Sequence, residues 1–169
     1  MRTVIVGIIA ALTLTGCSMA DTAVAPPGAG TAPAATPSAT EEPHTEAGVR
    51  AAALDEFDSF ASGDYGSTWD RYYGAAKKAI SRAEYVRLLK LCPDPAAGAR
   101  FQIEKVSMDG DRAARVRVSR LGIAIMSYRF VYESGRWAFV PEPAAMRDYR
   151  TKTVQQMVKA QRATGGCGS

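Results

Sequence analysis

Residues 101–140 read FQIEKVSMDG DRAARVRVSR LGIAIMSYRF VYESGRWAFV, and this stretch decides the fold. Phe101 to Met108 has the composition of a strand, and Asp109-Gly110 is a strong hairpin turn. Ala114, Val116 and Val118 then alternate with Arg115, Arg117 and Ser119, the period of two expected of a half-buried strand. Ile123 to Tyr132 is a long β-branched and aromatic run, which Ser134-Gly135 turns back into Trp137-Ala138-Phe139-Val140, ended by Pro141. Four antiparallel strands joined by short turns are the reading.

Working outward, the period changes. Val49, Ala53, Phe57 and Phe60 recur at helical spacing, and Gly63 ends that helix. Tyr65, Trp69, Tyr72 and Tyr73 predict a short aromatic helix closed by Gly74. Ser81 and Glu84 form a capping box for a third helix, which turns Tyr85, Leu88 and Leu89 inward and stops at Cys92-Pro93. Beyond the strands, Tyr149, Thr153, Val154, Met157, Val158 and Gln161 share one stripe, predicting a single helix from about Ala144 to Ala163. Three helices, then four strands, then one helix imply an α+β fold in which a curved sheet packs on helices.

Composition narrows the chemistry. His44 is the only histidine, so no catalytic triad, Cys–His dyad or multi-histidine metal site can be assembled downstream of it. Three cysteines are too few for a four-thiolate site, and no cofactor or metal is implied. Asp109-Gly110-Asp111 is not a calcium loop, because Arg120 stands where that motif needs a bidentate glutamate. Asn is absent, so there is no N-glycosylation acceptor.

Ser18 to Thr45 is rich in Ala, Pro, Thr and Gly and cannot bury enough apolar surface to offset its ordering entropy. A disordered tether is expected there, with His44 a solvated linker residue. Before it, Arg2 precedes an uncharged apolar run from Val4 to Leu14, too short for a bilayer span but fitting a secretory signal. Leu14-Thr15-Gly16-Cys17 resembles the lipobox of bacterial lipoproteins. That resemblance implies cleavage before Cys17, a diacylglyceryl group on its thiol, and anchorage at the outer face of the cell membrane. Two acyl chains hold firmly where one is marginal. The expected organisation is a signal peptide over 1–16, lipidated Cys17 and tether over 17–45, and the α+β domain over 46–169.

After export, Cys92 and Cys167 remain as an even pair in an oxidising compartment, where an intramolecular bridge is favoured over free thiols or intermolecular pairing.

The element order also resembles the nuclear-transport-factor-2-like superfamily. The residues carrying the likeness are Gly63-Asp64-Tyr65 followed by Trp69, and the closing hairpin from Tyr128-Arg129-Phe130-Val131-Tyr132 to Trp137-Ala138-Phe139-Val140. It implies a cone with a pocket at its wide end, in a family of isomerases, dehydratases, cyclases, binding domains and accessory domains. The family's Asp–His or Asp–Tyr catalytic pattern has no histidine to use here, and no acid is assignable to the cone, so no catalytic residue is named. Trp69, Tyr72, Tyr85, Tyr128, Phe130 and Tyr132 (with Met126) are the candidate pocket lining, against the alternative that they are core. Asp64, Asp70, Tyr72 and Tyr73 are a weaker acid–base candidate set, better read as caps and packing aromatics.

From Glu46 onward 20 Lys and Arg face 14 Asp and Glu, a net charge of +6. Arg115, Arg117 and Arg120 gather on one strand, and Arg147, Arg150, Lys152, Lys159 and Arg162 on the last helix. A basic strand without interleaved stacking aromatics, outside the cell, does not suit nucleic acid. Anionic lipid or an anionic wall polymer suits it better, and a small apolar ligand or an envelope protein are the other expected partners. The functional expectation is a non-catalytic binding or accessory module at the envelope. The alternatives are an isomerase- or hydrolase-like enzyme with an Asp–Tyr site, and a structural subunit of an envelope complex.

Overall fold

A computed structural model describes residues 41–168. The signal peptide, Cys17 and the tether up to residue 40 therefore lie outside the described residues. The fold is α+β. Strands β1 (Phe101–Met108), β2 (Ala113–Arg120), β3 (Ala124–Glu133) and β4 (Arg136–Val140) form one antiparallel sheet in the order β1-β2-β3-β4. Alternation sets its faces: Ala114, Val116, Val118 and Phe130 turn to the core, while Arg115, Arg117 and Arg129 face out. A bulge between Ile103 and Lys105 turns Glu104 aside, where it accepts from the Ser119 hydroxyl (2.5 Å).

Helix α1 (Glu46–Ser62) begins on the Thr45 side chain, which accepts from the Gly48 N–H, and ends at Gly63 in the left-handed conformation (φ 80°). It lays Val49, Ala52, Ala53 and Phe57 against β1, β2 and β4. The short α2 (Tyr65–Asp70) is capped by Asp64. The chain then leaves the helix: Arg71 to Tyr73 run along β4, exchanging backbone hydrogen bonds with Phe139 and covering the sheet edge. Gly74, expected to close a helix, instead opens α3 (Gly74–Ala79), its N–H donating to Glu133 Oε2 (2.8 Å). Four helices thus precede the sheet, not three, the last being α4 (Arg82–Leu91) with its Ser81–Glu84 capping box.

The C-terminal stripe is also divided. α5 (Pro143–Thr151) stops at extended Lys152, and α6 (Val154–Ala163) restarts on Thr153. Thr153 and Gln156 cap each other's backbone, and this second capping box ends what the stripe alone predicts as one helix. α6 packs on α4, and Cys92 and Cys167 stand at disulfide-bonding distance, their Cα atoms 4.8 Å apart. No helix among the described residues is long and apolar enough to cross a membrane.

Residues 41–45, ahead of helix α1, also make specific contacts with the domain. Glu42 binds Arg71 (2.6 Å) and accepts from the Trp137 N–H (2.7 Å), and its carbonyl accepts from the Tyr132 hydroxyl (2.8 Å). The Trp137 indole N–H donates to the Pro43 carbonyl (2.9 Å). His44, expected to be free in solvent, is exposed but lies on the Tyr132 ring, centroids 3.5 Å apart. Residues 41–45 are a strap across the β3–β4 hairpin rather than the last of the tether. The strap crosses α1 so closely that a Cβ on Gly48 would sit 2.1 Å from the Pro43 carbonyl oxygen.

Candidate functional site: an aromatic cavity around a buried carboxyl

Between α1 and the core face of the sheet lies a cavity of about 130 Å³, lined by Glu56, Phe57, Phe60, Tyr72, Tyr85, Phe101, Tyr128 and Phe139. Its rings form a continuous wall. Phe57 stacks on Phe101 (4.8 Å), Tyr72 on Phe139 (5.6 Å), and Tyr72 meets Tyr85 at 5.0 Å. Phe60, Phe101 and Tyr128 are half-buried and form the rim, while Glu56, Tyr72 and Tyr85 are buried at the floor. The volume corresponds to about four waters at roughly 30 Å³ each, below the usual 300 Å³ or more of a drug-sized pocket. Larger depressions lie on the surface, such as one of about 480 Å³ bordered by Asp58, Ser62 and Arg100, but the one buried acid among the described residues, Glu56, lines the aromatic cavity.

Glu56 is 3% exposed, and among the described residues its Oε2 has no hydrogen-bond partner. Helical geometry puts it there: it follows Ala52 by four residues and Ala53 by three, on the same stripe as Val49 and Phe57. Burial raises its pKa well above the ordinary carboxylate value, and the charges of Arg71 and Arg136 only partly offset this. The carboxyl therefore keeps its proton to a higher pH than a surface glutamate. Burial, then the neighbouring Tyr85 and Tyr149, push the Tyr72 hydroxyl well above its ordinary value. Tyr85 is raised by burial and by Tyr149. The floor thus presents a carboxyl whose protonated form burial favours, beside phenols whose neutral form it favours.

The rim is held by Arg120. Its guanidinium lies over the Phe101 ring (4.6 Å) and the Phe60 ring (5.8 Å), pairs with Asp94 (2.9 Å), and donates to the carbonyls of Ala96 and Ala99. Expected to join Arg115 and Arg117 on an exposed basic strand, Arg120 instead turns inward and is 9% exposed. The difference lies at the end of β2, where the loop after Cys92 supplies the acceptors.

Of the six rings singled out for a pocket, Tyr72, Tyr85 and Tyr128 line the cavity. Phe130 is fully buried in the core beside Phe57 and Phe139, and Tyr132 lies under the strap. Trp69 is tied by its indole N–H to the Ile80 carbonyl (2.9 Å), with the Lys77 ammonium over its ring. Asp64 caps α2 and Asp70 pairs with Arg82 at the surface (3.2 Å), so neither is an acid of the cavity. Asp109 and Asp111 flank Gly110 in the β1–β2 turn, where Gly110 has φ 75°. Among the described residues no cluster of His, Cys, Asp and Glu could hold a metal ion. The residue that sequence reasoning missed is Glu56, although its helical spacing was available.

In comparisons with known proteins, no family model matches the chain and no characterised protein is significantly similar to it.

Proposed function

We propose that this protein is a lipid-anchored, extracytoplasmic binding module whose aromatic cavity accepts a compact ligand. The observation that carries the reading is Glu56: a buried carboxyl whose Oε2 has no partner, in a cavity otherwise walled by rings, where burial favours its protonated form. A buried donor left unmade is expensive, and a ligand that accepts from it recovers that hydrogen bond while covering the rings. The ligand is then a small, mostly apolar molecule with one acceptor, such as a carbonyl. The helix-on-sheet layering and the position of the cavity fit a cone of the nuclear-transport-factor-2-like kind. The leader and Leu14-Thr15-Gly16-Cys17 support anchorage through diacylglyceryl-Cys17 at the outer face of the membrane.

The same carboxyl favours a second reading, acid catalysis. General acid–base chemistry needs two groups whose pKa values are pushed apart around neutrality. Here the other ionisable groups of the cavity are tyrosines raised by burial, and no base stands opposite the acid. Glu56 alone can orient or polarise a carbonyl, which is a binding role first.

Thermal-shift and native mass-spectrometric screening with compact ketones, amides and amines tests the site. Acceptor-bearing compounds should stabilise the wild type, with binding weakened as rising pH ionises Glu56, and should lose affinity at least tenfold in Glu56→Ala. Binding unaffected by Glu56→Ala, or no binding by any of these classes, refutes the reading; turnover abolished by Glu56→Gln would instead establish the enzyme. Independently, Cys17→Ser should abolish incorporation of labelled fatty acid.

A further inference from the structure

The β2–β3 hairpin ends in Leu121-Gly122-Ile123-Ala124-Ile125-Met126, six residues without a polar side chain. Leu121 is 64% exposed, Ile123 85% and Ile125 64%, more than any other large apolar residue among the described ones. The other two hairpin turns, at Asp109-Gly110 and Ser134-Gly135, are polar. In the three-residue connection 121–123, Leu121 adopts φ 57° and Gly122 φ 69°, the centre of a turn closed by the Ile123 N–H on the Arg120 carbonyl (3.3 Å), a backbone that suits Asn-Gly. An isobutyl side chain is therefore held in a left-handed position that ordinary residues seldom occupy, and it points at solvent.

Behind this tip the outward face of the sheet is basic. The register sets Arg115 opposite Arg129, and Arg117 opposite Lys105. Like charges directly opposite across strands repel. Among the described residues none of these four forms an ion pair. Glu104, at the bulge, is engaged by Ser119.

We infer that the β2–β3 hairpin is a membrane-contacting element, its Leu121–Ile123–Ile125 tip entering the headgroup–acyl boundary of an anionic bilayer while Lys105 and Arg117 meet the phosphates, with Arg115 and Arg129 adding positive charge behind them. At about 3.3 Å per residue, Arg117 and Lys105 stand roughly 13 Å behind the tip. A tip entering about 5–10 Å leaves them within side-chain reach of the headgroups. Apolar tip and basic flank together match a bilayer; a soluble anionic polymer would meet only the charges, and a second copy would face arginine with arginine. The inference is independent of the cavity. It agrees with an anchor at Cys17: the 24 residues from there to Glu41 span about 80 Å when extended, ample for a sheet about 30 Å long.

The test uses a chain beginning at Ser18, which lacks the acyl group and the apolar leader and retains the whole compact unit Ser38–Ser169 with its own core. Flotation with phosphatidylglycerol–phosphatidylcholine vesicles at low salt should recover it, and pure phosphatidylcholine should recover far less. Leu121→Asn with Ile123→Ser, changes that suit the turn, should weaken binding at least tenfold with melting temperature unchanged. Lys105→Gln with Arg117→Gln should weaken it by about 25-fold, roughly fivefold per charge. No binding to anionic vesicles at low salt overturns the inference. So does binding indifferent to the tip variant, which would assign the basic face to a soluble polyanion, or a dimer dissolved by the tip variant, which would assign the hairpin to a second copy.

Discussion

Replacing Glu56 by Gln tests the cavity's electrostatics without a ligand. The native pKa of Glu56 is raised, so the native state holds its proton over a range where the unfolded state has released it. The unfolded state then binds fewer protons, and stability falls as pH rises through that window. The fall begins near the ordinary carboxylate value of 4.5 and ends at the raised native pKa. Its slope approaches about 1.4 kcal/mol per pH unit, the value of one proton. Gln cannot ionise and removes the slope, whatever constant offset its amide introduces. Asp64 and Glu84 have pKa values lowered by the hydrogen bonds they accept from Ser67 and Ser81, so they act in the opposite sense at lower pH. They do so equally in both proteins. Urea midpoints of wild type and Glu56→Gln, measured from about pH 4 to 9, give a difference curve in which only Glu56 appears. Wild type should lose stability relative to the variant above about pH 4.5, then level off. A flat difference curve would mean that the cavity solvates the carboxylate, and the protonated donor on which the binding reading depends would be gone.

Three further outcomes follow from packing. Gly48→Ala drives a methyl group into the Pro43 carbonyl and should lift the strap, at a cost of about 1–3 kcal/mol, with proteolysis appearing near residues 41–45. Reducing the Cys92–Cys167 pair, or Cys167→Ser, opens a link across 75 residues and should lower stability by up to about 4 kcal/mol in denaturant titrations. Thr153→Ala removes the cap that starts α6 and should lower stability by about 1 kcal/mol, with local hydrogen exchange in α6 rising first.

What could be read in the sequence was what neighbours along the chain determine. The strands of residues 101–140 have their period, their Gly-containing turns and Pro141 as a stop, so their pairing follows from short loops. The Ser81–Glu84 capping box is equally local. Thr153 and Gln156 carried the same signature but sat on an unbroken apolar stripe, and the stripe conceals the restart. The strap was illegible because a Pro-rich composition says nothing of Arg71, Tyr132 and Trp137, which hold Glu42 and Pro43 from 29 to 95 residues away. The cavity was half-legible: tyrosines announce themselves, but Phe57, Phe101 and Phe139 meet only once α1 packs on the folded sheet. Glu56 was in plain view on the α1 stripe. Charge type argued for the surface, whereas position argued for the core, and position prevailed.

Arg71 belongs to two neighbourhoods at once. Its guanidinium binds Glu42 in the strap and Asp55 on α1, and its charge is also one of the two that draw on Glu56. While the strap is seated, the Glu42 carboxylate neutralises part of that charge. If the segment preceding Glu41 were pulled hard enough to unseat it, Arg71 would act on Glu56 with less competition and lower its proton affinity. The strap, which lines no part of the cavity, is thereby joined through Arg71 to the charge balance at the cavity floor.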